Sequence, residues 1–296
     1  MASWHEILEE TTAPSIDFVR RKYLKAFSSL TGRNVIAYYS GFLTNPNQSS
    51  GILDNDMNGF MNAIHGLDQN NGLDLILHTP GGTVSAAGAI VSYLKQMFKE
   101  DIRCFIPQIA MSAGTMIACS CKEIWMGRQS SIGPIDPQFG AISTGEVIEE
   151  FGEAIKDIKK NPMNLPIWQI RLSKYPPAFL GQCQKAAEFS KELVREWLIT
   201  NMFKGDTASK KKAQAVVRFL SDHGKTKQHD RHISAIEASK IGLKIEMLEQ
   251  KGHDAIQDAV LSVHHAFMLT FSKNTSVIKI IENHLGHAVV NCSIVR

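Results

Sequence analysis

Apolar and polar residues alternate along this chain with two different periods. Across residues 1–30, Phe18, Tyr23, Leu24, Phe27 and Leu30 recur at helical spacing between Arg20, Arg21, Lys22 and Lys25. That pattern predicts an amphipathic helix laid on the body of the protein. The period then shortens. Residues 34–40 (NVIAYYS) form a β-branched and aromatic run and read as a strand. Residues 73–78 are a short continuous apolar run, as in a buried parallel strand. Residues 102–106 and 123–126 read as two further strands. Residues 57–68, 85–98 and 115–121 carry helical periodicity between these runs, with a polar loop at 45–50 and an Asn-Asn-Gly turn at 70–72. The resulting β-α-β-α-β-α-β order over 34–126 predicts parallel strands joined by helical crossovers.

Beyond residue 126 the pattern changes. Residues 130–145 (SSIGPIDPQFGAISTG) are rich in proline and glycine and read as an irregular loop over a site. Helices are predicted at 146–160 and 177–202, with a polar, flexible stretch at 204–212. Within 232–248 a short helix, capped by Ser234 and stopped at Gly242, precedes a strand, and 254–269 reads as a C-terminal helix. The organisation expected is an N-terminal helical segment at 1–30, an α/β body at 31–250 and a C-terminal helical extension at 251–296. No internal repeat is present.

Composition narrows the class. A hydrophobic fraction of 44% permits a sizeable core. A net charge of +3 is too small for a nucleic-acid-binding surface, and the lysine run 210–212 reads as a solvated loop rather than a phosphate patch. Residues 1–10 are polar and acidic, unlike a signal peptide, and no apolar stretch reaches the roughly 20 residues of a transmembrane segment. Five cysteines without a regular framework suit a reducing compartment, so the expected location is cytoplasmic. Cys119 and Cys121 read as packing side chains rather than metal ligands.

Two short stretches carry the candidate chemistry: residues 75–82 (LILHTPGG) and 109–118 (IAMSAGTMIA). Each is an apolar run that ends in small residues and leads into a helix. In the second, small neighbours let the backbone turn tightly at Ser112 and keep its Oγ exposed, as a nucleophile requires. In the first, Gly81 and Gly82 permit positive φ and close backbone approach. One of their amides, with that of Ala113, would form an oxyanion hole. Taken singly, Ser-Ala-Gly is also a helix cap and Pro-Gly-Gly a turn. Their combination, in this order and spacing, is far more specific.

LILHTPGGTVSAAGAIVSYL followed by IAMSAGTMIA resembles the ClpP/crotonase superfamily, and most nearly the serine dehydrogenase proteinase family, which is related to signal peptide peptidase A and the stomatin-linked proteases. TGRNVIAYYSGFL, SSIGPIDPQFG and HDRHISAIEASKIGLKIEMLE fit the same family, extending the resemblance over about residues 20–250. The resemblance implies an α/β fold, a ClpP/crotonase-like spiral of ββα units with additional N- and C-terminal helices. It makes 31–250 a protease domain, Ser112 its nucleophile, and Gly81, Gly82 and Ala113 its oxyanion hole. It also implies a homo-oligomer, often assembled through helices outside the spiral.

The general base departs from that pattern. ClpP-like proteases carry a histidine where this chain reads Ser-Ile-Gly-Pro, at 131–134. Stomatin-linked proteases use a lysine about forty residues after the serine; Glu153 stands near there, and Lys156 lies one turn on. A lysine base would need burial to depress its pKa. The stretch DRHISAIEA resembles the part of ClpP that supplies the triad aspartate, which places Asp230 in that role between His229 and His232. A histidine from this segment would serve as base, oriented by Asp230 or Asp136. His78, beside the Pro-Gly-Gly turn, is either a substrate contact or a buried histidine.

The function expected is therefore a serine peptidase acting on a peptide or protein, without cofactor or metal. Adjacent His264 and His265 diverge by about 100° on a helix, and His284 and His287 lack further ligands. Two other readings stand beside it. One is a catalytically silent scaffold or peptide-binding subunit, favoured by the missing histidine and lysine. The other is a crotonase-type acyl-CoA enzyme, which uses a two-amide hole for an enolate and needs no serine at 112. No GxxxxGK[ST] motif is present, so any unfolding power would come from a separate ATPase partner.

Overall fold

Continuous burial on both faces defines the centre of the molecule. The computed structural model describes residues 6–7, 16–46, 50–140, 142–222 and 230–293. Strands β1 (Asn34–Ser40) and β2 (Leu73–His78) are buried at every position. They pair in parallel, with Tyr39 opposite His78. β3 (Ile102–Ile106), β5 (Glu123–Met126) and β10 (Ile245–Met247) continue the parallel sheet on one side. On the other side lie two antiparallel strands, β11 (Val277–Asn283) and β12 (Ala288–Cys292). The order is β10-β5-β3-β2-β1-β11-β12. A second, three-stranded sheet joins β4 (Ile109–Ala110), β6 (Ser131–Ile132) and β9 (Ile233–Ser234), with β6 in the middle.

Alternation along β1 explains the layering. Ile36 and Tyr38 point into one core, while Val35, Ala37 and Tyr39 point into the other. The first core is covered by α2 (Asp56–Ile64), α3 (Val84–Phe98), α4 (Ala113–Cys119), α7 (Phe179–Trp197) and α8 (Ser209–Leu220). The second is covered by α1 (Ile16–Thr31) and α10 (Asp254–Lys273). The architecture is a mixed α/β fold, with helices on both faces of the main sheet.

Three expectations need correction. The C-terminal region 251–296 is helical only through α10; Val277–Asn283 and Ala288–Cys292 are strands that extend the main sheet. The polar stretch 204–212 runs into a helix, α8, whose Ala213, Val216, Val217 and Leu220 recur at helical spacing and are buried. Lys210, Lys211 and Lys212 occupy the solvent face of its first turns. Finally, the segment 130–145 is not simply a surface loop. Ser130, Ser131, Ile132, Ile135 and Asp136 are all buried, because β6 inserts between β4 and β9. Among its described residues, the exposed ones lie in the hairpin of β7 (Gln138–Phe139) and β8 (Ile142–Ser143). α5 (Thr144–Lys160) follows it, capped by the Ser143 hydroxyl.

Candidate active site

The two small-residue turns meet. The Thr79 amide donates to the Ile109 carbonyl at 3.0 Å, and the Met111 amide returns a bond to the Thr79 carbonyl at 3.1 Å. This bridge zips the end of β2 to the end of β4. The Thr115 hydroxyl buttresses it from α4, donating to the Ala110 carbonyl at 2.9 Å and accepting from the Gly133 amide at 2.9 Å.

Ser112 stands at the strand-to-helix corner with φ +50° and ψ −117°. Side chains rarely adopt such a backbone, which costs of order 1–3 kcal/mol. Although Ser112 occupies the cap position of α4, its hydroxyl makes no cap hydrogen bond. The ordinary reason for a serine at a helix start is therefore missing here. The side chain is half-buried.

Gly81 lies against this corner at φ +101°. A Cβ there would fall 2.7 Å from both the Ser112 Cβ and the Met111 carbonyl oxygen. Its amide is engaged by the Thr79 hydroxyl at 3.2 Å. Gly82, at φ +157°, is pressed onto Ile52: a Cβ would meet the Ile52 nitrogen at 2.2 Å. Ile52 donates to the Gly81 carbonyl at 2.7 Å and accepts from the Thr83 amide at 2.9 Å. The Gly82 and Ala113 amides take no such partner among the described residues. Two free N–H groups thus flank a serine whose hydroxyl does not cap its helix, an arrangement suited to stabilising an oxyanion.

The candidate bases are dispersed. His229 lies outside the described residues. Asp230 is exposed, and so is Lys156, on α5. Asp136 is buried and accepts from the Ser143 hydroxyl at 2.9 Å. It lines a cavity of about 330 Å³ together with Glu149, Lys191 and Asp222. His78 points into the α1/α10 side of the sheet, among Tyr39, Phe42 and His264. Burial pushes it down to about 3, partly offset by the Ile109 carbonyl.

His232 is differently placed. Its Nδ1 and the Ser131 hydroxyl share a hydrogen bond of 2.6 Å. Continuing the antiparallel register Ile132–Ile233 by one residue sets His232 opposite Gly133. Continuing the parallel register Ala110–Ile132 sets Met111 on the other side of Gly133, and the Met111 Cε is 2.6 Å from where a Gly133 Cβ would be. In that extended register Met111, next to Ser112, and His232 flank Gly133 from opposite sides, two strands apart. Sequence reasoning passed over the Gly51–Leu53 segment, Thr79 and Thr115. Their roles arise from long-range pairing that local periodicity does not encode.

Parts of the chain are similar to known proteins. Residues 40–168 match the family of ClpP-like SDH-type serine proteinases. An uncharacterized protein of Methanocaldococcus jannaschii is 28% identical over 191 residues, covering 64% of this chain and 59% of its own length. A second uncharacterized protein of that organism is 35% identical over 105 residues, covering 34% of this chain and 36% of its own. The chain thus spans less than two thirds of the length of either relative. Among solved structures, the 1510-N membrane-bound stomatin-specific protease, a mutant in complex with a substrate peptide, aligns with 69% of this chain and 73% of its own, at a TM-score of 0.40 and 19% identity. Residues 40–168, the part of the chain similar to the ClpP-like SDH-type serine proteinases, hold both turns and the strands that join them.

Proposed function

We propose that this protein is a serine peptidase whose nucleophile is Ser112. The observation that carries the reading is the Ser112 corner: a strained serine, its hydroxyl free of the helix cap, packed against Gly81. Its Oγ attacks the scissile carbonyl carbon, and the oxygen becomes an oxyanion held by the Gly82 and Ala113 amides. An imidazole takes the Oγ proton and passes it to the leaving amine as the C–N bond breaks. Water then releases the acyl group by the same route. We assign the imidazole to the segment holding His229, Asp230 and His232. Of these, His232 shares a 2.6 Å hydrogen bond between its Nδ1 and the Ser131 hydroxyl, which leaves its Nε2 as the nitrogen to accept the proton. The exposed hairpin at Phe139 and Ile142 would guide an extended peptide chain. A homo-oligomer is the expected state.

A fluorophosphonate probe tests this. Attack forms an Oγ–P bond, expels fluoride and leaves the phosphoryl oxygen in the oxyanion hole. Mass spectrometry should place the adduct on Ser112, and Ser112→Ala should abolish it. His232→Gln should slow labelling by roughly 10²-fold or more, as loss of a general base does. Folded protein that stays unlabelled from about pH 6 to about pH 9 would refute the peptidase and favour a silent scaffold. If His229→Ala or Lys156→Ala abolishes labelling while His232→Gln does not, the base is misassigned.

A further inference from the structure

The turn that presents the Gly82 amide is held by groups far from it in sequence. Lys279, on β11, is 1% exposed. Its ammonium donates to both Asp56 carboxylate oxygens, at 2.7 and 2.9 Å, and to the Gly51 carbonyl at 2.6 Å. Asp56, also 1% exposed, accepts in addition from the Tyr38 hydroxyl at 2.8 Å and the Leu53 amide at 3.0 Å. Burial, and then the Asp56 carboxylate, push the Tyr38 phenol well up, so it remains a donor. From β1, the Ser40 hydroxyl donates to the Ser50 carbonyl at 2.5 Å.

These bonds fix residues 50, 51 and 53 and leave the backbone of Ile52 for the turn. Ile52 uses both its groups there, donating to Gly81 and accepting from Thr83, in a parallel bridge with Gly82. In such a bridge the amide of the central residue points away from the partner strand. The Gly82 N–H is thus directed away from Ile52, and its direction follows the tilt of the 50–53 strap.

We propose that Lys279 and Asp56 are positioning residues for the oxyanion-binding turn, locking the strap so that the Gly82 amide is held in its working direction. The proposal rests on the reading of Ser112 as nucleophile. Neither residue touches substrate. Their effect passes from the ion pair to Gly51 and Leu53, then to Ile52, then to the Gly82 peptide plane. Small misplacements of a reacting constellation carry large rate penalties.

The test uses the full chain with glycine-selective 15N labelling. The variants are Lys279→Met, the double variant Lys279→Met with Asp56→Asn, and the conservative Lys279→Arg. A control, Glu282→Gln, weakens the buried pair Arg20–Glu282 on the same strand. The double variant leaves no lone buried charge, so it serves where Lys279→Met does not fold. In the Lys279 variants the Gly82 amide resonance should move and fluorophosphonate labelling of Ser112 should slow about tenfold or more. The 31P resonance of the adduct should shift as its phosphoryl oxygen loses a donor. Lys279→Arg should restore part of the rate. Glu282→Gln should lower the melting temperature without changing either signal. A folded double variant with an unmoved Gly82 resonance, or with the wild-type labelling rate and 31P shift, would overturn the proposal. A wild-type protein that never labels would refute the nucleophile reading instead, and the Gly82 resonance would still decide whether the ion pair sets that amide.

Discussion

Ser112 combines two demands that a glycine would separate. Its backbone sits at φ +50°, where a side chain is strained, and its hydroxyl makes no compensating cap bond. Replacing it tests the strain apart from the chemistry. Relief of about 1–3 kcal/mol exceeds the roughly 0.5–1 kcal/mol by which glycine loosens the unfolded chain. Ser112→Gly should therefore be more stable than Ser112→Ala, by roughly 1 kcal/mol, while both lack the Oγ. Thermal or denaturant unfolding of the two variants decides it; equal midpoints would mean that the corner is relaxed. The serine and both glycines were legible in the sequence because their requirement is local: a tight turn needs small residues in consecutive positions. Lys279 and Asp56 were not. They meet across 223 residues only because β11 pairs with β1 in one register.

Among the elements, the parallel strands were the most legible, since continuous burial on both faces leaves an uninterrupted apolar run. β11 was concealed by its own chemistry. Its sequence VIKIIEN carries Lys279, Glu282 and Asn283, all buried. Lys279 and Glu282 are neutralised by ion pairs from other elements, and the Asn283 amide donates to the Ala63 carbonyl at 2.7 Å. Polar letters in a run usually signal a solvent face, and here they signal partners. A second buried polar pair joins β2 to α10. His78 and His264 face each other with ring centres 5.3 Å apart. Burial pushes His78 down to about 3 and His264 well below its ordinary value, the latter also through His78 and His265. The unfolded chain then binds protons that the folded chain refuses. Stability should be complete above about pH 6.5 and decline as pH falls towards about 3, by up to about 1.4 kcal/mol per pH unit for each histidine. His78→Phe should flatten the dependence of melting temperature on pH between about 7 and 5; an unchanged slope would assign acid sensitivity to other groups.

At the scale of the whole molecule, the structure binds together what the sequence pattern divides. The body expected at 31–250 contains β1 to β10 but lacks α1, α10 and β11. The inner face of its sheet, through Val35, Ala37, Tyr39, Ile76, Phe105 and Trp125, is covered by Leu24 and Phe27 of α1 and by Val260, Val263, Phe267 and Phe271 of α10. Uncovering side chains of this size costs about 1.5–3 kcal/mol each, against a total stability of about 5–15 kcal/mol for a typical domain. Removing β11 also frees the edge of β1, a template for aggregation, and leaves Asp56 buried without Lys279, itself a loss of about 3–5 kcal/mol. A fragment of residues 31–250 should therefore be insoluble or lack a cooperative melt, whereas the full chain unfolds in one main transition. Circular dichroism and calorimetry on the two proteins make the comparison. A fragment with native near-ultraviolet signal and a sharp transition would show that 31–250 is a self-sufficient domain. Loss of the transition would mean that the terminal helices and the β11–β12 hairpin belong to the same folding unit as the Ser112 corner.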